Sequence, residues 1–289
     1  FTARFLDRIG KGVRGAPRDA LVAEISPSNM RGAAYGLRQA LDSVGALLGP
    51  ALAVALMILL ADNIRAVMWA AVVPAFICVL LLVGYVREPE RTQPCSAKAP
   101  LAFAAARRLP LRYWYVVLLG AVFTLARFSE AFLVLRAQDL GLALGYVPAV
   151  MIVMNAFYAG GAYPAGAAAD KVSRRTMLLL GLLVLVGADL VLAAALSPLI
   201  AFAGAALWGV HMALTQGLLA KLVADNAPAE LLGTAFGIFN LVSGGALLLA
   251  SVIAGALWSS MGPSATFLAG AAFAAAAAAG LLAAVRLPR

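Results

Sequence analysis

Long apolar runs separated by short polar or basic stretches make up nearly the whole chain. A helix needs about 20 mostly apolar residues to cross a bilayer's hydrocarbon. Eight runs meet that requirement, at residues 40–61, 66–86, 113–136, 145–167, 176–197, 199–220, 232–258 and 263–285. They are rich in Leu, Ala and Val, with Gly and Pro scattered inside, as membrane helices tolerate. None shows the strict alternation of a β-barrel strand. The pattern therefore predicts an all-α membrane protein with about eight complete spans.

The opening residues break the apolar rule and obey a different periodicity. At 100° per residue, Arg4, Asp7, Arg8, Lys11, Arg14, Arg18 and Asp19 fall within about 140° of arc on a helix. Phe5, Ile9, Val13, Ala16 and Ala20 take the other side. A solvated loop has no reason to sort its charges this way. The segment reads as part of a ninth span with a basic stripe on a water-filled pathway, where charges at membrane depth normally lie. The competing reading leaves only Arg4 to Arg8 at depth, with Lys11 onward snorkelling among headgroups.

Composition fits a membrane protein. Charged residues are 12% of the chain, against about 25% in soluble domains, and the mean hydropathy is +0.96. The net charge of +9 would suggest nucleic acid in a soluble protein. Here the basic residues alternate between connections. Arg87, Arg91, Lys98, Arg107, Arg108 and Arg112, then Lys171, Arg174 and Arg175, then Lys221, then Arg286 and Arg289 fall on one side. Only Arg65 and Arg136 fall on the other. This is the positive-inside bias, so the expected partner is a lipid bilayer rather than nucleic acid, with the C-terminus cytoplasmic. Cys78 and Cys95 suggest no structural disulfide, and a single histidine, His211, excludes a His-rich metal site. No Gly-x-x-x-x-Gly-Lys-Ser/Thr loop supports direct ATP drive.

An internal repeat organises the chain. Residues 20–46 align without a gap on 221–247, at the offset of 201 that sets Leu21 against Leu222. Pro27, Gly32 and Gly36 meet Pro228, Gly233 and Gly237; Glu24 meets Asp225 and Tyr35 meets Phe236. Parallel repeats are a transporter architecture. Residues 1–86 are expected to be the remainder of an N-terminal six-helix half, 87–112 a cytoplasmic linker and 113–289 a C-terminal six-helix half. The absence of Met at position 1 suggests that further helices precede Phe1 in a twelve-helix protein.

Three motifs add a resemblance. Arg4, Gly10, Gly12, Glu24, Pro27, Arg31 and Gly32 form the first, with Arg8 where a glycine is usual. Gly45, Gly49 and Pro50 form the second, Gly-x-x-x-Gly-Pro. Gly166, Asp170, Lys171, Arg174 and Arg175 form the third, with Ser173 in place of a glycine. Together they resemble the major facilitator superfamily, and the opening stretch is similar to a largely uncharacterised bacterial branch of it. The resemblance implies a helical bundle working by alternating access in a bacterial inner membrane. It implies a proton-coupling role for Arg4, an antiporter signature at Gly45, Gly49 and Pro50, and a conformational switch in the 166–175 loop.

Residues inside the spans complete the candidate site. Arg4, Asp7, Arg8 and Lys11 are joined by Arg127 and Glu130, spaced i, i+3 and so able to pair or to act as substrate anchor and proton carrier. Asn155, Tyr158 and Asn240 can bond a ligand or bridge helices. Asp42 lies one turn from Arg38 and is expected to pair with it, and Asp189, nearer an outer span end, is expected to reach the headgroups. The leading expectation is a monomeric secondary transporter, not an enzyme, that needs no cofactor and exports small molecules, with a lean toward organic anions, in exchange for protons. A drug or sugar carrier, or an inactive fragment, are the alternatives.

Overall fold

The computed structural model describes residues 2–61, 63–85, 106–143 and 146–283, with the side chains of 2–13, Pro50, Val54 and Ala283 outside that set. The described residues form ten α-helices and no strand. They are α1 Thr2–Ile25, α2 Arg31–Leu59, α3 Ile64–Tyr85, α4 Leu111–Leu125, α5 Ala131–Asp139, α6 Val147–Ala169, α7 Arg174–Ala193, α8 Pro198–Asn226, α9 Leu232–Met261 and α10 Pro263–Ala283. Most of the linker expected at 87–112 lies outside the described residues.

Among the described residues, six stretches are long and apolar enough to cross a membrane: Ser28–Leu59, Ile64–Tyr85, Arg174–Ala193, Pro198–Asn226, Ala229–Met261 and Pro263–Leu282; α6, in the expected span 145–167, is a continuous helix but is not among them. The expected span 113–136 is not one helix. It ends at Leu125 and resumes at Ala131, so it becomes a shorter apolar helix, a break at Ala126–Glu130 and a nine-residue helix. Two hydrogen bonds flank the break. Thr124 turns its hydroxyl back onto Gly120 O at 2.8 Å, and Ser251 of α9 accepts from Ser129 N at 3.2 Å. Ser129 is thereby given a partner other than lipid, and Arg127 and Glu130 are brought into the same non-helical segment.

The repeat is visible in the backbone. After α1, Pro27 (φ −56°, ψ 144°) leads a 3₁₀ turn at Ser28–Met30 and then α2. After α8, Pro228 (φ −60°, ψ 144°) leads a 3₁₀ turn at Ala229–Leu231 and then α9. Each boundary sits 201 residues from its mate, because proline fixes the same backbone angle at both sites and cannot continue a helix.

The outward surface is apolar: Leu183, Leu199, Leu248 and Val252 are all at least 60% exposed. A water-facing surface of this kind would aggregate, whereas lipid accepts it. Inside, Tyr113, Leu178, Leu185, Trp208 and Phe236 are fully buried. α2 packs on α6 and α8, and α1 packs on α9, so the N-terminal helices are held chiefly by the C-terminal ones.

Candidate functional site

The site begins where the two sets of helices come closest, at the end of the bundle that carries the 26–30, 170–173 and 227–231 connections. α2 meets α6 almost backbone to backbone. A Cβ at Gly36 would lie 2.5 Å from Ala162 O and 3.0 Å from Gly166 Cα, so only glycine fits. Gly166 has the same constraint against Gly36 Cα, at 2.8 Å. This approach lets the first turn of α2 receive Asp170. Its Oδ1 and Oδ2 accept from Gly32 N and Ala33 N, both at 2.9 Å, and Lys221 of α8 forms an ion pair with Oδ1. Helix N-termini carry unpaired N–H groups and partial positive charge, so a carboxylate belongs there. Burial pushes the Asp170 carboxyl up, and the bonds from Lys221, Ala33 and Gly32 more than offset it, holding it below the ordinary value of 3.8.

A second cluster lies beside the first. Arg31 of α2 donates to Asp225 Oδ1 (3.1 Å), Ala224 O (3.3 Å) and Ala23 O (3.3 Å), tying α1, α2 and α8 together. Arg174 reaches Asp225 Oδ2 at 3.2 Å. A third cluster joins α1 to α2: Asp19 takes Arg38 (3.1 Å) and Arg18 (3.2 Å), and Asp42 takes Arg18 (3.3 Å) and Arg38 (3.5 Å). Tyr35 donates to Asp19 O at 2.7 Å. The Arg38–Asp42 neighbourhood is thus a four-membered network, wider than the pair its spacing suggests.

Deeper in the bundle, the broken segment presents Arg127 and Glu130. Among the described residues, no ion pair within 4 Å joins them, because the break removes the helical i, i+3 geometry. Arg127 Nη1 is buried without a hydrogen-bond partner. Arg127 lines a small cavity with Thr124, His211, Thr215 and Gln216, with room for about one water molecule. His211 donates its Nδ1–H to Gly181 O at 2.7 Å, which joins α8 to α7. Tyr158 of α6 is buried, and its hydroxyl feels the charges of Arg127, Arg38, Glu130 and Asp42. The structure therefore brings Arg127, Glu130 and Tyr158 into one electrostatic neighbourhood with the α1–α2 network.

The other candidates are placed differently. The side chains of Arg4, Asp7, Arg8 and Lys11 lie on α1 but outside the described residues. Asn155 donates to Met151 O of its own helix at 2.8 Å. Asn240 is exposed on α9, near Gly15 of α1. Gly45 and Gly49 face open space: nothing among the described residues lies within 4 Å of a Cβ at either, and α2 runs unbroken through position 50. Arg175 donates to Leu282 O near the end of α10, and Lys171 is exposed.

Two features escape sequence reasoning. Asp189 does not reach headgroups: it is 0% exposed, and both carboxylate oxygens lack a partner. Its helix turns it against α10, which periodicity in a uniformly apolar span cannot reveal. Arg136, assigned to an outer connection, is 6% exposed and donates to Leu192 O, Ala193 O and Ala195 O. It also bonds Asp139 at 2.6 Å. Its position in the last turn of α5, beside the C-terminal carbonyls of α7, is the signal that could have found it.

Comparison with known proteins gives four findings. The sequence model of the Major Facilitator Superfamily matches residues 1–244 and 131–289. An uncharacterized MFS-type transporter of Methanocaldococcus jannaschii is 34% identical over 272 residues, covering 92% of this chain and 67% of its own length. The crystal structure of the Escherichia coli fucose:proton symporter overlays with a TM-score of 0.67 at 13% identity, covering 94% of this chain and 73% of that one. That of a human organic anion transporter overlays with a TM-score of 0.59 at 19% identity, covering 92% and 67%. These structural likenesses concern the fold.

Proposed function

The chain belongs to the Major Facilitator Superfamily, a family of membrane transporters rather than enzymes, and from that premise we propose that it exports small organic anions in exchange for protons by alternating access. The protein is a multi-pass membrane protein. In this reading it works as a monomer in a bacterial inner membrane, with the 170–173 and 227–231 connections and the C-terminus on the cytoplasmic side. Asp170, Lys221, Arg31, Asp225 and Arg174 then close the cytoplasmic end. Rocking of the two halves breaks and remakes the Arg31–Asp225 pair and the bonds from Gly32 N and Ala33 N to Asp170, while Lys221 and Arg174 keep their partners within one half.

One observation carries the anionic preference. Arg127 sits in an unwound segment inside an apolar bundle, with a buried guanidinium nitrogen that has no partner, beside a small cavity. A buried cationic nitrogen without a partner is costly, and a carboxylate arriving beside it removes that penalty. Broken membrane helices are where transporters place such sites. Glu130 and Tyr158, close by, are positioned to answer the arrival of charge. The antiporter pattern at Gly45, Gly49 and Pro50 supports exchange rather than uptake.

The test loads proteoliposomes with labelled benzoate and imposes an inward proton gradient. Efflux should accelerate with the gradient and saturate with benzoate. Arg127→Gln should weaken binding tenfold or more, since a charge-assisted hydrogen bond contributes about 1.5–3 kcal/mol. Efflux indifferent to both the gradient and Arg127→Gln would overturn the proposal.

A further inference from the structure

We propose that Asp189 is a proton-binding acid of the transport cycle, sealed from the central pathway in this conformation by the ring of Phe128. The inference rests on the proton-coupled reading above and adds a site that lies outside the Arg127 cavity and the charge networks.

Asp189 has no electrostatic partner among the described residues. α7 packs against α8 and α10. α10 carries no titratable side chain in residues 263–283. On α8, His211 is committed to Gly181 O, Lys221 to Asp170, and Asp225 to Arg31 and Arg174. On α5, Arg136 gives its donors to the carbonyls at the end of α7 and to Asp139. In the break, Arg127 lines its own cavity, and both it and Glu130 act on Tyr158. An ionised carboxylate placed here would keep its full desolvation penalty with nothing to offset it. The neutral acid loses far less on burial. The surroundings accept the protonated form and reject the anion.

What covers the acid is mechanically linked to the substrate site. A Cβ at Gly270 would lie 2.7 Å from Asp189 Oδ2 and 3.0 Å from Phe128 Cε1, so carboxyl and ring edge both crowd the space over that glycine. Phe128 belongs to the broken segment, next to Arg127 in sequence. Its ring packs on Trp208 (centroids 5.4 Å apart), Phe132 (5.2 Å) and Phe267 (5.4 Å). The Trp208 indole N–H is also buried without a partner. The orphan acid thus lies beside the ring cluster that holds the orphan donor, under a segment that is not helical. When an anion draws Arg127, Phe128 must move with it. Withdrawal of the ring opens Asp189 to water, where the proton can leave and the carboxylate is solvated. Return of the segment requires the proton back. Anion and proton are coupled through one short piece of backbone.

Infrared difference spectroscopy of the chain in lipid vesicles tests the charge state. Wild type minus Asp189→Asn should show one carboxylic-acid C=O band near neutral pH. No such band means that Asp189 is ionised there, and the proposal fails. Phe128→Leu keeps an apolar side chain in the cluster but shortens the seal, and should speed hydrogen–deuterium exchange of that band at least tenfold. Unchanged exchange removes Phe128 as the seal. A pH-sensitive dye in the benzoate efflux assay separates this proposal from the one beneath it. Wild type that moves benzoate without protons defeats proton coupling itself. Proton movement per benzoate that is the same in wild type and Asp189→Asn defeats only the assignment to Asp189; its loss in the variant supports that assignment.

Discussion

Replacing Gly36 by Ala should loosen the closed end of the bundle, and the coordinates give the size of the effect. The new Cβ would lie 2.5 Å from Ala162 O, against the 3.4 Å where ordinary contact begins, so α2 must move about 0.9 Å from α6. There is no softer route, because the opposing atoms are backbone of a packed helix. The same displacement carries the Gly32 N to Asp170 Oδ1 bond from 2.9 Å to about 3.8 Å, outside hydrogen-bond range. Overpacking of this kind costs about 1–3 kcal/mol, a shift of roughly 5- to 150-fold in the balance between closed and open forms. Spin labels on cysteines at Ser28 and Val172 report the separation by pulsed dipolar spectroscopy. Gly36→Ala should broaden and lengthen the distance distribution. Gly49→Ala, whose Cβ meets nothing within 4 Å, should leave it unchanged. An unchanged distribution in Gly36→Ala, or an equal change in both variants, would refute the argument that backbone contact closes this end.

The same labels report a pH effect at Asp170. Its carboxyl is held below 3.8 in the folded chain, so its contribution is fully present above that value and is lost as pH falls through the depressed one. Acidification through that range should lengthen the Ser28–Val172 distance in wild type, and Asp170→Asn should be lengthened already at neutral pH and insensitive to acid. Arg136→Ala should lower the thermal midpoint followed by tryptophan fluorescence. It leaves the carbonyls of Leu192, Ala193 and Ala195 without their donor, at about 1–3 kcal/mol for the buried groups. Arg31→Ala and Asp225→Ala should be non-additive by about 0.5–3 kcal/mol in a double-mutant cycle on the same midpoint, and strict additivity would deny the pair a role.

Much of the fold was legible because lipid imposes a simple rule on composition. Runs such as 232–258 and 263–285 could hardly be anything but spans, and α9 and α10 occupy them. The 113–136 run departs from that rule for the opposite reason. Its apolar residues suggested one helix, while Thr124, Ser129 and Glu130 had the means to break it, and Ser251 of a distant helix supplies a bond that holds the break. In the candidate site, Asp170 and Arg174 stood out in their loop. Their partners Lys221, Asp225 and the Gly32 and Ala33 amides lie far along the chain, so spacing could not find them.

The sequence alone determined that this is a membrane helix bundle with an internal repeat, since hydropathy and a proline in register are local properties that no packing can alter. Which polar residues meet was decided only by tertiary structure. Asp189 and Asp170 are both aspartates at the margins of apolar runs, yet one is surrounded by two amides and an ammonium and the other by rings and a glycine. The free energy of a charge in low dielectric depends on atoms within a few ångströms of it, whatever their distance along the chain.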